Sequence, residues 1–268
     1  MDLAAIFGTA TPVIGMVHLP PLPGAPGFDG DRDQIRERAR ADATALATGG
    51  VDGVIVENFG DAPFYPDAVP NHVVAEFTAV TRAVVDTVDV PVGVNVLRND
   101  AAAAVGIAAA VGASFVRVNV HTGARVTDQG IVEGRAHETM RLRERLQADV
   151  AVLADVDVKH SKPLSDAEGL DPVAETLERG LADGVIVSGD HTGDPTDLDA
   201  VKTVAERVDD LGGSAPVFVG SGVTPASVGP LLDVADGVIV GTALKTGGET
   251  TNPVAVDRVE TLVEAARR

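Results

Sequence analysis

Acidic, basic and imidazole side chains follow several short valine-rich runs of this sequence, and together they could exchange protons with a substrate. His18 ends the run PVIGMVHL, Glu57 ends GVIVE, and Asp155, Asp157 and Lys159 lie within VAVLADVDVK. Carboxylates and histidine act as general acids and bases, and a desolvated lysine can form a Schiff base with a carbonyl group. These five residues are the candidate catalytic residues. For Lys159, an ion pair with a neighbouring aspartate is the alternative to Schiff-base chemistry.

Side chains that could orient a substrate occupy equivalent positions. Amide, guanidinium and imidazole groups form hydrogen bonds with carbonyl and hydroxyl oxygens. The candidate substrate-binding residues are Asn95, Arg117, Asn119 and His160.

Two glycine-containing segments near the end of the chain could bind phosphate. They read GSGVT at 220–224 and GTALK at 241–245. Glycine lets the backbone approach an anion closely, and backbone N–H groups at the start of a helix bind phosphate. Two tight turns with ordinary glycine caps are the alternative. The candidate phosphate-binding residues are Gly220, Ser221, Gly222, Gly241 and Thr242.

Eight apolar runs alternate with helix-like segments, which predicts a single (β/α)8 barrel over residues 1–268. Near-continuous apolar runs suit parallel strands that are buried on both faces. A doubly wound open sheet would need a G-x-G-x-x-G turn after the first strand, and this sequence lacks one there. The segment GVIV occurs at 53, 184 and 237, which indicates either barrel repetition or a chance match of small residues. In such barrels the active site lies at the carboxyl ends of the strands, where the candidates above fall.

The two-residue period of a β-strand predicts which of these side chains face the barrel interior. Arg117, Asn119 and His121 share one face of the fourth predicted strand, opposite the valines that alternate with them. Since helices cover the outside, we expect the valines to face the helices and the polar residues to face inward. A buried charge needs a partner, so Arg117 should pair with Asp155 or Asp157 on the adjacent strand. This pattern predicts either a buried polar network or a polar site at the barrel mouth.

A loop with four prolines, HLPPLPGAP at 18–26, follows the first strand. Proline restricts its own backbone and that of the residue before it, so this loop is stiff. A stiff loop loses little entropy when a ligand binds. We therefore predict a preformed wall or rim of the pocket with His18 at its base. A rigid surface connection is the alternative.

The charge of the chain is strongly negative. The 40 acidic and 21 basic residues give a net charge of −19, which disfavours nucleic acid and anionic membranes as partners. The chain has 4 lysines against 17 arginines, and 27 aspartates against 13 glutamates. This composition is typical of a halophile that accumulates salt, and an ordinary acidic protein is the alternative.

The absence of cysteine excludes disulfides, thiolate metal sites and a cysteine nucleophile. The sequence has no apolar run of about 18 residues, so we predict no membrane insertion. The first residues lack the basic region of a signal peptide, and the expected location is the cytoplasm.

Seven segments, in order from about residue 12 to 258, together resemble the BtpA/SgcQ family. They are GMVHLPPLPGAP, VENFGDAPF, NVLRND, RVNVHTGARVTDQGIVEG, ADVDVKHSKPL, VFVGSGVT and GTALK. The first and fifth are distinctive, whereas GSGVT and GTALK occur in many phosphate-binding barrels. The resemblance implies a TIM-type barrel. It also implies two kinds of role, because the cyanobacterial namesake is associated with photosystem I biogenesis or stability and other members resemble sugar-metabolism proteins. It assigns no catalytic residues, so the candidates remain those inferred from strand ends.

Three functions fit these observations, and we favour the first. It is an enzyme of the lyase, isomerase or epimerase type that acts on a small phosphorylated metabolite, such as a phosphosugar or a nucleotide-derived sugar. The second is a metal-dependent hydrolase or lyase. The third is a non-catalytic assembly or stability factor for a membrane complex such as a photosystem, which would need a partner surface more than a charged pocket. A homo-oligomer is a further expectation, by analogy with other barrels.

The metal-dependent alternative has weak support from the sequence. Oxygen and nitrogen ligands are available, but no H-x-H or H-E-x-x-H spacing occurs. The sequence requires no cofactor, and a divalent metal remains an option. The ligands for it would come from His18, Glu57, Asp155, Asp157 and His160.

Overall fold

The valine-rich runs form the strands of a closed parallel barrel in the computed structural model, which describes residues 1–157, 161–164, 170–189, 196–213 and 215–268. The barrel strands are β1 (Val13–His18), β2 (Gly53–Glu57), β3 (Val92–Asn95), β4 (Phe115–Val118), β7 (Ala151–Asp157), β9 (Gly184–Val187), β10 (Val217–Gly220) and β11 (Gly237–Val240). Outside the barrel lie β5 (Ala124–Thr127), β6 (Gly130–Glu133) and β8 (Lys162–Pro163). The order around the barrel is β1-β11-β10-β9-β7-β4-β3-β2. This closed ring confirms the (β/α)8 prediction over the open sheet.

Helices connect the strands and cover the outside of the barrel. They are α1 (Leu3–Phe7), α2 (Arg32–Thr48), α3 (Asn71–Val85), α4 (Ala101–Val111), α5 (Ala136–Leu146), α6 (Pro172–Ala174), α7 (Leu198–Asp210), α8 (Val228–Leu232) and α9 (Val256–Ala266). A π-helical turn over Glu175–Arg179 continues α6. Aspartate carboxylates accept hydrogen bonds from first-turn N–H groups of α2, α4, α6 and α7, which satisfies otherwise unpaired donors. Within the described ranges, no helix is both long enough and apolar enough to span a membrane.

The alternation of side chains along each strand produces two apolar layers. Val54 and Val56 of β2 pack against the helices, while Ile55 between them faces the barrel interior. The valines of β4 also face outward, as the two-residue period predicts. Helix α1 closes the amino-terminal end of the barrel, where the Phe7 ring meets the Phe115 ring edge-on at a centroid distance of 5.4 Å. The apolar layer inside the barrel therefore packs beneath the carboxyl ends of the strands.

The repeated GVIV segment has one structural task in all three places. An aspartate precedes each copy, and its carboxylate accepts the N–H of a residue at the start of the neighbouring strand. The pairs are Asp52 with Val13 (2.7 Å), Asp183 with Val152 (2.7 Å) and Asp236 with Val217 (2.8 Å). The third copy also needs the glycine that follows the aspartate, because a Cβ at Gly237 would lie 2.5 Å from Phe218 Cε1. The shared bonding favours barrel repetition over a chance match.

An antiparallel hairpin follows β4, and the sequence analysis did not predict it. Strands β5 and β6 pair with Val126 opposite Ile131, and β8 joins the other edge of β5. Two residues, 128 and 129, connect the hairpin strands. The signal in the sequence is a short apolar alternation on both sides of a two-residue turn.

Candidate functional site at the barrel mouth

The inward-facing positions at the carboxyl ends of the barrel strands divide the mouth into two halves. Among the described residues, polar side chains occupy the ends of β1, β2, β3, β4 and β7, whereas the inward positions after β9, β10 and β11 hold small residues. In chain order these positions hold His18, Glu57, Asn95, Arg117, Asp155, Ser188, Gly220 and Gly241. Space for a ligand is therefore left beside the last three strands.

Arg117 and Asp155 form a buried ion pair across the adjacent strands β4 and β7, as predicted. Arg117 Nε donates to Asp155 Oδ2 at 3.0 Å, and Arg117 Nη2 donates to Asp155 Oδ1 at 2.8 Å. The two side chains are 4% and 1% exposed. Burial alone would lower the pKa of the Arg117 guanidinium, but the Asp155 carboxylate raises that pKa above its ordinary value. Arg117 is therefore a permanent cation of the mouth.

Both oxygens of Asp155 are saturated with donors. Besides the two bonds from Arg117, Oδ1 accepts from Ser188 Oγ at 2.8 Å and Oδ2 accepts from Asn119 Nδ2 at 3.0 Å. Asn95 Nδ2 donates to the Arg117 carbonyl oxygen and to Asn119 Oδ1, at 3.0 and 3.2 Å. A carboxylate with two donors on each oxygen has no lone pair left for a substrate proton. The geometry favours a positioning role for Asp155.

His18 and Glu57 lie next to each other at the ends of β1 and β2. His18 Nε2 is 3.7 Å from Glu57 Oε1, and both side chains are less than a tenth exposed. The imidazole ring packs between the Phe59 ring, at a centroid distance of 4.9 Å, and Gly241, where a Cβ would lie 2.9 Å from His18 Cε1. The absence of a side chain at residue 241 thus makes room for the histidine.

Arg98 adds a second buried guanidinium to the mouth. Burial lowers the pKa of Arg98 below its ordinary value, and the charges of Asp155 and Glu57 oppose that effect. Arg98 was not among the predicted site residues, although it lies three residues after the end of β3. The carboxylates of Asp155, Glu57 and Asp128 favour its charged form, and the neighbouring Arg117 opposes it.

A cavity of about 250 Å³ opens beside the small residues of β10 and β11. His18, Glu57 and Arg117 border it on the barrel side. Met16 and Ile239 of the interior apolar layer also line it. The remaining wall consists of residues 221–225, residues 241–243, Gly248 and Arg258. One cavity thus joins the predicted catalytic pair to the predicted phosphate loops.

The two loops differ in their backbone: the loop after β10 has two residues with positive φ, and the loop after β11 begins a short 3₁₀ turn. Ser221 has φ 128° and Gly222 has φ 61°, which are left-handed values. Thr242 begins a short 3₁₀ turn, Thr242–Leu244, and no side chain of the described residues caps its first N–H groups. Gly220 is the exception among the predicted phosphate residues, because its Cα faces Ile186, Arg117 and Ser188 inside the barrel and does not line the cavity.

Arg258, which the sequence analysis missed, contributes a guanidinium to the loop side of the cavity. It lies in the first turn of α9, and its Nε donates to the Ala243 carbonyl oxygen at 2.8 Å. One signal could have found it: no acidic residue occurs three or four positions away on either side, so the helix supplies no ion-pair partner.

Two side chains at strand ends lie outside the mouth. The prediction that His121 shares the inward face with Arg117 is wrong, because β4 ends at Val118 and the chain then turns. His121 Nε2 bonds the Gly180 carbonyl oxygen at 2.9 Å, and burial lowers the pKa of this imidazole. Lys245 is completely buried beside α2, with Nζ 3.3 Å from Asp42 Oδ2.

Several predicted residues fall outside the described part of the chain. Lys159 and His160 lie outside the described residues, and so does the side chain of Asp157, whose backbone ends β7. Their catalytic and binding roles stay predictions. In the part of the chain that the structure describes, no group of three His, Cys, Asp or Glu side chains could hold a metal ion.

The four-proline loop packs against the loop after β2. Leu22 N–H donates to Asp61 Oδ1 at 2.7 Å, and a Cβ at Gly60 would lie 2.4 Å from Pro21 N. Burial raises the pKa of the Asp61 carboxyl above its ordinary value. His18 lines the 250 Å³ cavity, but no proline of the loop does. The contacts fit the rigid connection better than a wall of this cavity.

This protein is a closed (β/α)8 barrel. Its mouth combines charged side chains with a cavity lined by glycine-containing loops. The chain belongs to the BtpA family, whose model matches residues 9–268. It is 48% identical over 265 residues to the Photosystem I biogenesis protein BtpA of Synechocystis sp., covering 99% of this chain and 91% of that protein. It is also 48% identical over 252 residues to an uncharacterised protein of Pyrococcus furiosus, covering 94% and 93%. These matches confirm the resemblance found in the sequence.

Solved structures of other barrels share the fold. Tryptophan synthase of Mycobacterium tuberculosis has a TM-score of 0.64 at 20% identity, covering 100% of this chain and 98% of that one. Thiamine phosphate pyrophosphorylase of Pyrococcus furiosus has a TM-score of 0.58 at 14% identity, and the match covers 95% of both chains. Orotidine 5'-phosphate decarboxylase of Pyrococcus horikoshii has a TM-score of 0.57 at 15% identity, and the match covers 96% of this chain and 100% of that one. At such identities the likeness shows the barrel fold alone.

Proposed function

We propose that this protein is a cytoplasmic enzyme that acts on a small phosphorylated metabolite, by lyase, isomerase or epimerase chemistry. The observation that carries the proposal is the cavity itself. It places the loops after β10 and β11 opposite His18, Glu57 and Arg117. A ligand whose phosphate lies on the loops would extend its carbon chain toward those three side chains.

The roles of the mouth residues follow from their hydrogen bonds. Glu57 borders the cavity beside His18, so this pair is suited to proton exchange with the substrate. Arg117 and Asn119 are held by Asp155, which positions them. Asn95 and Asn119 do not line the cavity, and Asn95 Oδ1 is a buried acceptor that no donor of the described residues reaches, so their substrate-binding roles stay predictions.

The loops supply what a phosphate group needs. Backbone N–H groups of Ser221, Gly222 and Thr242 can donate to phosphate oxygens, and glycine allows the close approach. Two neighbouring barrels carry phosphate compounds in their own names, thiamine phosphate pyrophosphorylase and orotidine 5'-phosphate decarboxylase. That agreement supports a phosphorylated substrate without identifying it.

A thermal unfolding screen of the full chain in KCl tests the proposal. Each phosphorylated sugar or nucleotide is compared with its unphosphorylated counterpart. A ligand at about 100 times its Kd stabilises a protein by about 2.7 kcal/mol, so a phosphorylated compound that binds should raise Tm. We expect Gly222→Ala to abolish that rise, because an alanine at φ 61° reshapes the loop.

Gly112→Ala is the matched control. Gly112 also has a left-handed backbone, with φ 74°, and it lies at the carboxyl end of α4 with open space around its Cα. The control should lose stability without losing the ligand response. Equal responses to phosphorylated and unphosphorylated compounds would contradict the proposal, and a response to Mg²⁺ or Zn²⁺ alone would favour the metal-dependent alternative.

An assembly or stability factor is the second candidate, and one observation favours it. A relative that is 48% identical carries the name Photosystem I biogenesis protein. Such a role depends on a surface and tolerates changes inside the mouth. A folded Glu57→Gln variant that keeps its cellular role would support this candidate over the enzyme.

A further inference from the structure

Among the residues that the structure describes, Arg258 has no carboxylate within ion-pair distance, and its polar contact is with the backbone. Among the described residues, its guanidinium makes one polar contact, from Nε to the Ala243 carbonyl oxygen. That bond fixes the plane of the guanidinium beside the loop after β11. The four N–H donors on Nη1 and Nη2 remain for another acceptor.

Of the arginines that have no carboxylate partner among the described residues, Arg258 is one that borders the cavity. The sequence has 40 acidic and 21 basic residues, so acidic partners outnumber the basic side chains. Arg36, Arg82 and Arg207 all lie within ion-pair distance of an aspartate or glutamate. Arg258 instead borders a cavity whose wall on that side is made of the two loops. A cation kept apart from carboxylates at a glycine-lined cavity is suited to an anion from solution.

We propose that Arg258 is the side chain that binds the phosphate group of the substrate, and that this substrate is a sugar monophosphate or a phosphomonoester of similar size. The inference rests on the proposed function and extends it. The Nη1 and Nη2 groups of Arg258 present parallel donors to two phosphate oxygens, while the loop amides of Gly222 and Thr242 approach the others.

The volume of the cavity favours a small ligand. Pockets for drug-sized ligands measure about 300–1,000 Å³, and this cavity measures about 250 Å³. It has room for one phosphate and a short sugar. His18 and Glu57 then meet the end of the ligand that is remote from the phosphate.

Calorimetric titration of the full chain with inorganic phosphate tests the inference. Arg258→Gln removes the charge, and Arg258→Lys keeps the charge but loses the planar fork. We expect Arg258→Gln to weaken the Kd for phosphate by about tenfold or more, and Arg258→Lys to weaken it less. Arg82→Gln is the matched control, because it removes the same charge from an exposed helix surface where Arg82 pairs with Asp86.

The variants separate this inference from the proposed function. If wild type binds phosphate, Gly222→Ala does not, and Arg258→Gln binds like wild type, then the role of Arg258 is wrong and the loop site stands. If Arg82→Gln loses as much phosphate affinity as Arg258→Gln, the role of Arg258 is also overturned, because the change in net charge would explain both losses. If wild type binds neither phosphate nor ribose 5-phosphate, the proposed function fails together with the inference. Thermal unfolding of each variant confirms its fold, and Arg258→Lys provides the reading if Arg258→Gln does not fold.

Discussion

Two buried carboxylates of the mouth, Asp155 and Glu57, differ in their position relative to the cavity, and this difference separates their roles. Asp155 accepts four hydrogen bonds from Arg117, Ser188 and Asn119. Glu57 borders the cavity and lies 3.7 Å from His18. A saturated carboxylate holds its neighbours in place, whereas one that faces a cavity can meet a substrate proton.

We predict that Asp155→Asn lowers the free energy of unfolding by about 3–5 kcal/mol, the typical cost of breaking a buried ion pair. The loss arises because Arg117 would keep its charge in a buried position without a counter-charge. Urea unfolding at constant KCl measures it. Asp86→Asn is the control, since Asp86 pairs with Arg82 at the solvent-exposed surface and the change should matter far less. A loss at Asp155 no larger than the control would contradict this account of the network.

At the level of single residues, the strand period predicted the partner of Arg117 but not the position of His121. The period applies only while the chain remains a strand, and β4 ends at Val118. The local sequence of Arg258 indicates only that its helix supplies no ion-pair partner, and its place at the cavity depends on α9 packing beside the loop after β11. Local sequence patterns do not predict contacts between segments that are distant in the chain.

At the level of elements, the strands and long helices were predictable and the connections were not. Valine-rich runs and aspartate-capped helices carry strong local signals. The four-proline loop shows the limit: its stiffness follows from proline, but its place follows from Asp61 and Gly60, which lie about 40 residues later in the chain. The hairpin β5–β6 likewise depends on a turn of two residues that lacks glycine.

His121 connects the segment after β4 to the one before β9, and it should make stability depend on pH. Burial lowers the pKa of His121 in the folded state, so the unfolded chain binds the proton more readily. Stability is therefore full above the ordinary histidine pKa and falls as pH decreases below it, by at most about 1.4 kcal/mol per pH unit. We predict that His121→Gln loses less stability than wild type between about pH 7 and pH 5.

Urea unfolding at several pH values measures this slope. His137→Gln removes an imidazole that is 66% exposed and serves as the control. If wild type and His121→Gln show the same slope, the buried imidazole is not the source of the pH dependence.

At the level of the whole molecule, the net charge of −19 is the property that the sequence states most directly. Some aspartates have local tasks, as helix caps and as acceptors at strand starts. The remaining excess of negative charge acts through long-range repulsion, which salt screens. The halophilic origin inferred from composition stays a prediction.

Salt should stabilise the fold. The Debye length falls from about 10 Å at 0.1 M salt to about 3 Å at 1 M, so repulsion between surface carboxylates weakens over this range. If screening recovers about 2 kcal/mol, Tm rises by about 4–8 °C between 0.1 M and 1 M KCl. Thermal unfolding followed by circular dichroism measures the change. A Tm that stays constant or falls would contradict the halophilic interpretation.

The most direct test of the central claim is a crystal structure of the protein grown with inorganic phosphate. The account predicts an anion in the cavity beside β10 and β11. Its oxygens should lie about 3 Å from the backbone nitrogens of Gly222 and Thr242 and from the Nη groups of Arg258. A cavity that holds only water at a saturating phosphate concentration, with phosphate absent or confined to surface arginines, would contradict it.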